Sequence, residues 1–491
     1  MTEKSVTPNV GTIDKDAAGS AEPPSLLGRI GRFLKMASGE PIDPIVPGDV
    51  PVRLTNPVLL SWQHDPFTIK LGDIALECHP DLSIDGDEPN GLREWVVHAG
   101  PRSDEAVPKF IRIAEGEAVV FGRCSELQAD FFGYGRSIAD RHVKISNRKG
   151  DLRIQPLDRD GSTTLSTSPS ATSLAAARRE RLMRLPAILG RALATFDDEE
   201  AFDKLREVND AIAAEPYREQ NEEGDPGGII RFPDEMPVII MGDVHARVDN
   251  VLRVLTENGV LPALERGELA LVFLGDLVHS EATGELEDMT SSVLVFDLFC
   301  MLKLRFPKNV FYVHGNHESF SEDVGKGGVL QGLLFRKHLK KQRGKAYLKE
   351  MEVLFDQLAY VVHGKHFAAC HGAPVRSKVD RQTLVNIRRY PGLQYELTWN
   401  RLRQGNRPAG YGKGSVKRFR QTLGLPKLAP MIVAHNPQSE DGTLWLNVGE
   451  IEGHHIVYSA RTDRLAIMVI SDGTSWPLEL LTDPALAHLA P

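Results

Sequence analysis

The sequence predicts a multidomain fold: an all-β N-terminal domain, a helical connector, and a C-terminal α/β or β-sandwich domain with covering helices. Three observations carry this. At 491 residues the chain exceeds what one core normally holds, so two or three domains are expected. From about residue 50 to 168, short apolar runs are split by Gly, Pro and Asp clusters, the texture of β-structure. After about residue 229, compact apolar runs alternate with helical stretches.

The elements follow in chain order. Residues 1–24 are rich in Ser, Thr, Pro, Gly and Ala and read as disordered. The lead-in over 25–50 opens with SLLGRIGRFLKMAS, where Leu26, Ile30, Phe33 and Leu34 recur at helical spacing among Arg29, Arg32 and Lys35. A basic amphipathic helix over 26–36 suits a partner or a membrane surface, or docking on its own protein. The β domain spans 51–170, with FTIKL, EWVVH, FIRIA and AVVFG as strands.

The connector, 171–228, carries apolar residues every three to four positions, is interrupted near Pro186, and closes in the polar stretch EPYREQNEEGDPGG, read as a loop. Its Arg178, Arg179, Arg181 and Arg184 suit an acidic partner or a solvated helix face. Over 229–480 the strand candidates are Pro237–Met241, Leu269–Leu274, Val310–Val313, His366–Cys370 and Met431–Ala434, with helices at Ser291–Leu304 and Gly332–Lys341 between them. Residues 481–491 form a tail.

Composition excludes several classes. A net charge of −9 gives no reason to expect nucleic-acid binding. Cys78, Cys124, Cys300 and Cys370 are far apart with no CxxC pair, which argues against a disulfide framework or a zinc-thiolate site and for a reducing, cytoplasmic setting. No apolar run approaches the ~20 residues of a membrane span, and the polar N-terminus lacks a secretory apolar segment.

The chemistry lies at the strand ends. PVIIM runs into Gly242-Asp243-Val244-His245, LALVFL into Gly275-Asp276, and NVFYV into His314-Gly315-Asn316-His317-Glu318. HFAAC runs into His371-Gly372, and MIVA into His435-Asn436. Taken singly these motifs are weak, since a histidine in a strand is more often core than ligand. Together they place carboxylate, imidazole and amide groups on one sheet edge, beside glycines that leave room for a phosphate. Such a mixed set suits Mn²⁺, with Fe or Zn²⁺ as alternatives, better than Ca²⁺ or Mg²⁺. A carboxylate shared by two ions ~3.5–4 Å apart supplies an activated water for attack on phosphorus.

The series GD-x-H, GD, GNHE, HG and AH over about 235–475 resembles the calcineurin-like metallophosphoesterases, in particular the PPP branch of serine/threonine phosphatases and diadenosine tetraphosphatases. The resemblance implies a two-sheet β-sandwich flanked by helices and two divalent metal ions. It further implies that Asp243 and His245 hold the first ion, that Asp276 bridges, that Asn316, His371 and His435 hold the second, and that His317 is the general acid. Two departures stand out. The family's GDxVDRG reads GDLVHS, putting His279 and Ser280 where Asp and Arg are expected; Glu281 is a candidate substitute for that carboxylate. His314 precedes GNHE in place of a phosphate-binding arginine, while Arg407 is the candidate for the other, with Arg401 and Arg403 as rivals. His454 and His455, inside HHIVYSA, read as structural.

The run VVFGRCSELQADFFGYGRSIADRHVKISNRKGDLRIQPLDRDGSTTL resembles a forkhead-associated (FHA) domain through Gly122-Arg123, Arg141-His142 and Asp160-Gly161-Ser162-Thr163. The resemblance implies phosphothreonine binding by Arg123, Ser162 and Thr163, with His142 as a buttress. Ala139 replaces the serine expected before His142, and Thr164-Leu165 replaces Asn-Gly. The expected whole is a phosphoprotein phosphatase joined to an FHA-like module, whose partner is a phosphoprotein substrate or a phosphothreonine-bearing protein. A diadenosine tetraphosphatase-like hydrolase and a phosphothreonine scaffold with a silent phosphatase domain are the alternatives.

Overall fold

A computed structural model of the chain describes residues 44–482 apart from 49, 63–66, 73, 81–92, 100–109, 123–137, 159–161, 168–173, 258, 405–408 and 472. The expected disordered segment 1–24, the amphipathic helix over 26–36, Arg123, Cys124 and Arg407 lie outside the described residues.

The N-terminal strands are β1 (Val52–Arg53), β2 (Val58–Leu60), β3 (Phe67–Leu71), β4 (Ile74–Pro80), β5 (Trp95–Ala99), β6 (Phe110–Ile113), β7 (Ala118–Phe121), β8 (Val143–Arg148), β9 (Asp151–Pro156) and β10 (Thr163–Thr167). They make a six-stranded sheet, β1-β10-β3-β4-β5-β6, and a four-stranded sheet, β2-β9-β8-β7, paired antiparallel throughout. Alternation decides which face is buried. Phe67, Ile69 and Leu71 from one sheet meet Val143, Ile145, Leu152 and Ile154 from the other in one core, around the indole of Trp95. The indole N–H of Trp95 donates to the Gly150 carbonyl at 2.7 Å, which satisfies its polar atom.

The connector forms α1 (Leu174–Leu189) and α2 (Asp198–Ala213). Pro186 does not interrupt α1, contrary to the sequence expectation. The helix stops at Gly190, whose φ of 74° is the left-handed conformation glycine adopts at helix C-termini. A proline removes one backbone donor, whereas a left-handed glycine reverses the chain. In α2, Asp197 and Glu200 form a capping box, and Ala201, Leu205, Val208 and Ile212 face inward. The connector is therefore no free linker. Leu182, Leu185 and the buried face of α2 join the same core as Ile239 and Met241.

The stretch read as a polar loop holds β11 (Arg218–Gln220) and the start of β12 (Pro226–Arg231). The glycines misled the reading because they serve packing rather than turning. A Cβ on Gly228 would lie 2.4 Å from both Ile387 Cγ2 and the Leu384 carbonyl, so only bare backbone fits beneath that segment.

The remaining strands are β13 (Val238–Met241), β14 (Ala270–Phe273), β15 (Val310–Tyr312), β16 (Val361–His363), β17 (Ala368–Ala369), β18 (Met431–Val433), β19 (Leu444–Trp445), β20 (His454–Val457), β21 (Arg464–Ser471) and β22 (Thr474–Leu481). They form a five-stranded sheet, β15-β14-β13-β21-β22, and with β11 and β12 a seven-stranded sheet, β11-β12-β16-β17-β18-β20-β19. The sheets face each other through Val238, Ile240, Ala270, Val272, Ala369, Ile432, Ala434 and Val457. Alternate residues of the same strands, Ile239, Met241, Leu271 and Phe273, point the other way into a helix-covered core with α3 (Val248–Leu255) and α5 (Thr290–Arg305). Likewise Ala368, Met431, Val433 and Ile456 meet α8 (Arg381–Val385), α9 (Pro391–Trp399) and α10 (Lys413–Thr422). Helix, sheet, sheet and helix are thus stacked, and strands apolar on both faces read as unbroken apolar runs.

Candidate metal centre

The parallel neighbours β13, β14 and β15 end together, as do β17 and β18 of the facing sheet. An isolated bridge between Asp243 and Tyr458 stitches the two sheets at that end. Asp243, His245, Asp276, Asn316, His317, His371 and His435 all converge there and are buried.

Their spacing is tight. His371 Nε2 lies 3.0 Å from Asn316 Oδ1 and 3.3 Å from Asp276 Oδ2. His245 Nε2 lies 3.9 Å from both Asp243 Oδ2 and Asp276 Oδ2. Three sets among the described residues fall within ligating reach, and two of them, Asp243–His245–Asp276 and Asp276–His371–His435, share Asp276.

Each candidate ligand histidine has its far ring nitrogen engaged by a backbone carbonyl. His245 Nδ1 donates to the His279 carbonyl at 3.0 Å, His371 Nδ1 to Leu274 at 2.8 Å, and His435 Nε2 to Trp399 at 3.2 Å. That network assigns the tautomers: when a ring is neutral, its remaining nitrogen is the one that carries a lone pair. This is how proteins fix metal-binding imidazoles. Two buried carboxylates facing three such lone pairs and an amide oxygen form a donor set that fits divalent ions, not one for a hydrophobic core.

The backbone is bent to achieve it. His245 (φ 46°), Asp276 (φ 49°), His279 (φ 71°) and His435 (φ 54°) are all in the left-handed region. Each such non-glycine residue costs about 1–3 kcal/mol, and strain of this kind gathers at functional sites. Two glycines admit the ligands: a Cβ on Gly275 would lie 2.6 Å from His371 Nδ1, and one on Gly315 2.4 Å from Asp276 Oδ1.

Glu318 organises the turn beneath. Its carboxylate accepts from the backbone N–H groups of Asp276, Leu277 and Gly315 and from the Tyr312 hydroxyl. Sequence reading gave it no role. Its signal was its place in GNHE, where an ionisable side chain follows the ligands into a buried turn.

Charge is shared unevenly. Burial pushes the Asp243 carboxyl up to about 6, helped by Asp276. Burial alone would lower His371, but Asp276 and Asp243 carry it up to about 9. Burial takes His317 down to about 4 against the pull of Asp276. Burial, then His371 and Arg401, hold His435 well below its ordinary value.

The departures from the family pattern are also placed. His279, which stands where the family pattern has Asp, is fully buried, and its Nδ1 lies 3.1 Å from Nδ1 of His317. Glu281 does not reach His317 Nδ1 in its stead. Its carboxylate lies 3.6 Å from His245 Nε2 and pairs with Lys326 at 2.7 Å, while His245, Glu281 and His317 themselves fall within ligating reach of one another. His314 stacks on Tyr360 with ring centroids 5.0 Å apart, and its Nδ1 donates to the Gly315 carbonyl at 2.6 Å. Of the arginines near Arg407, Arg401 acts on His435, whereas Arg403 donates to the Gly410 carbonyl at 3.4 Å. His454 is held by Tyr411 and the Met431 carbonyl.

In the N-terminal domain, His142 Nδ1 accepts from the Ala139 N–H at 3.1 Å, and its Nε2 meets Ser162 Oγ at 3.1 Å. The Ser162 amide and hydroxyl both donate to Asp158, at 2.7 and 2.9 Å. Thr163 heads β10 rather than lying in a loop; it is fully buried, with its hydroxyl donated to Asp158 at 2.9 Å.

Comparison with known proteins agrees with this geometry. Residues 236–438 match the family described as calcineurin-like phosphoesterase. The chain is 29% identical over 226 residues to the serine/threonine-protein phosphatase PP2A-like PPG1 of Candida albicans, covering 43% of this chain and 49% of that protein. It is 32% identical over 84 residues to the serine/threonine-protein phosphatase PP1-delta of Caenorhabditis elegans, covering 17% of this chain and 23% of that protein. The chain thus spans about half the length, or less, of these relatives. A protein serine/threonine phosphatase from Saccharomyces cerevisiae with similarity to human phosphatase PP5 is a distant structural neighbour, at a TM-score of 0.46 and 15% identity over 58% of this chain and 90% of that one. Residues 236–438 of this protein are a calcineurin-like metallophosphoesterase domain.

Proposed function

We propose that the C-terminal domain is a two-metal phosphoester hydrolase whose substrates are phosphoserine and phosphothreonine side chains of proteins. The observation that carries this is a set of three histidines, each with one ring nitrogen engaged by a backbone carbonyl and the other turned into the cluster that holds Asp243, Asp276 and Asn316. Asp243 and His245 would hold one ion, Asn316, His371 and His435 the other, with Asp276 shared. Mn²⁺ fits this nitrogen–oxygen set first, and Fe or Zn²⁺ next. When bound, such a pair supplies Lewis-acid stabilisation of the phosphoryl oxygens and a water of lowered pKa. His317, at the mouth of the set, gives its Nε2 proton to the leaving oxygen. Burial opposes its protonation, and a phosphate dianion entering beside the ring favours it. Arg401 is the arginine best supported as a phosphate contact, through its action on His435. The relatives named as serine/threonine-protein phosphatases support the substrate class.

A second reading is favoured by one observation. The Glu281 carboxylate stands 3.6 Å from His245 Nε2, where it repels a monoester dianion more than an internal phosphate of a nucleotide anhydride. Diadenosine tetraphosphate hydrolysis is therefore the rival. For the N-terminal domain we favour an FHA-like scaffold whose ligand loop has drifted, since a phosphate would have to displace Asp158 from Ser162. The buried thiols of Cys300 and Cys370 suit a reducing compartment, and the cytoplasm is the proposed location. No helix among the described residues is long and apolar enough to cross a membrane.

The test compares turnover of phosphopeptides, diadenosine tetraphosphate and a cyclic nucleotide by the full chain with Mn²⁺, against Asp276→Asn. Phosphopeptide turnover lost in the variant supports the first reading, and preference for the dinucleotide supports the second. Absence of metal-dependent turnover on all three would sink both. For the N-terminal domain, a phosphothreonine-peptide pull-down that Arg123→Ala abolishes would overturn the scaffold reading.

A further inference from the structure

We propose that His279 is the positioning residue for His317, accepting the Nδ1 proton of His317 on its own Nδ1 and so aiming Nε2 of His317 into the metal cleft. The inference rests on the hydrolase reading and adds to it a histidine pair in the place where the family resemblance led us to expect a carboxylate.

The geometry is specific. The two Nδ1 atoms are 3.1 Å apart, with ring centroids at 5.2 Å. One proton fits between them. If His317 is to lose a proton from Nε2 and end as neutral imidazole, the proton that remains is on Nδ1, and His279 Nδ1 is the acceptor facing it. In that step a water oxygen bonds to phosphorus and gives up a proton to solvent as the bond from phosphorus to the leaving oxygen breaks; the leaving oxygen takes the Nε2 proton, and the Nδ1 proton stays in the histidine pair.

His279 is held for this task from three sides. Its backbone is left-handed at φ 71°, its N–H donates to Ser292 Oγ at 2.9 Å, and Phe335 packs against its ring at 88°. Its carbonyl accepts from His245 Nδ1 at 3.0 Å. One residue therefore orients a metal-facing imidazole through its main chain and the acid imidazole through its side chain. The cost is visible at the far ring nitrogen: Nε2 of His279 is buried with no hydrogen-bond partner in the structure. A buried polar atom left unpaired beside a reactive group is retained where its ring has a function.

The experiment uses the full chain loaded with Mn²⁺ and a series of aryl phosphates from p-nitrophenyl to phenyl phosphate, on wild type, His279→Ala, His279→Asn and His279→Asp. Misplacing a general acid slows substrates with basic leaving groups most, so His279→Ala should lose on the order of 100-fold in kcat on phenyl phosphate and only about 3-fold on p-nitrophenyl phosphate. KM and bound metal, measured by elemental analysis, should stay near wild type. His279→Asp, which restores an acceptor, should recover phenyl phosphate turnover, and His279→Ala should add little to His317→Ala.

Equal loss on every leaving group, or no recovery in His279→Asp when its melting temperature matches wild type, overturns the inference and leaves the hydrolase reading standing. Wild-type protein that turns over no phosphoester removes the hydrolase reading, and the positioning role with it. Should His279→Ala fail to fold, the comparison of His279→Asn with His279→Asp decides, since the amide is the weaker acceptor for the buried N–H.

Discussion

His371 answers two carboxylates at once: its Nε2 lies 3.3 Å from Asp276 Oδ2 and its Nδ1 3.6 Å from Asp243 Oδ1. Those carboxylates raise the imidazole from 6.5 to about 9 in the metal-free protein, despite its burial. A raised histidine stabilises the fold fully below its unfolded value and loses that contribution as pH climbs toward 9. A metal ion competes for the same nitrogen. Loading with Mn²⁺ near pH 7 should therefore release about one proton, read by calorimetry in buffers of different ionisation enthalpy. The rise in melting temperature on loading should grow between pH 6.5 and 8.5. A proton count near zero would contradict the assignment.

Gly315 leaves room for the Asp276 carboxylate. Because a Cβ there would meet Asp276 Oδ1 at 2.4 Å, Gly315→Ala should displace Asp276 while leaving the sheets intact. A ligand shift of this size should weaken metal affinity on the order of 10–100-fold. Titration calorimetry with Mn²⁺, alongside an unchanged far-ultraviolet dichroism spectrum, checks it. Unaltered affinity would show that Asp276 is not shared by the ions.

Glu281 should repel anions at the cleft. Its carboxyl is held down to about 2, because His245 and Lys326 outweigh its burial, so it is charged throughout the working range. Replacing it by Gln removes one negative charge beside His245 and leaves Lys326 without its partner. Inorganic phosphate should then inhibit about 5-fold more tightly, roughly 1 kcal/mol at the effective dielectric of a half-buried site. A weaker inhibition constant would instead mark Glu281 as a metal ligand.

Lys303 is fully buried, and its ammonium binds Glu215 at 2.8 Å and the carbonyls of Pro307 and Val310. The pair clamps the connector to α5. Lys303→Met removes three acceptors' donor at once and leaves Glu215 with Arg218 alone. Breaking a buried pair from one side costs about 3–5 kcal/mol, so the urea midpoint of the catalytic domain should fall clearly. A midpoint within error of wild type would mean the pair is dispensable.

The candidate site was legible because of where its residues stand. Val238–Met241 and Ala270–Phe273 are buried on both faces, so their sequences are continuous apolar runs, and each run ends in a glycine followed by a candidate ligand, Gly242-Asp243 and Gly275-Asp276. Other features were not legible. Gly227 and Gly228 look like loop residues, but they lie in a strand because Val385 and Ile387 press on the backbone there. Pro186 looks like a helix break, yet α1 runs through it to Gly190. In both cases a contact distant in sequence, or a neighbouring dihedral, outweighed local propensity.

The order of the candidate ligands along the chain, and hence the donor types of the proposed centre, was determined by sequence alone, since burial and strand periodicity dictate that polar residues closing apolar strands gather at one edge. The partners of those ligands were decided only by the tertiary structure. Nothing local links His279 to His317 or His371 to the Leu274 carbonyl, because those contacts join residues 38 and 97 positions apart. Hydrogen bonds of this kind depend on angles set by the packing of whole strands, and it is packing that turns a set of metal-binding residue types into oriented lone pairs.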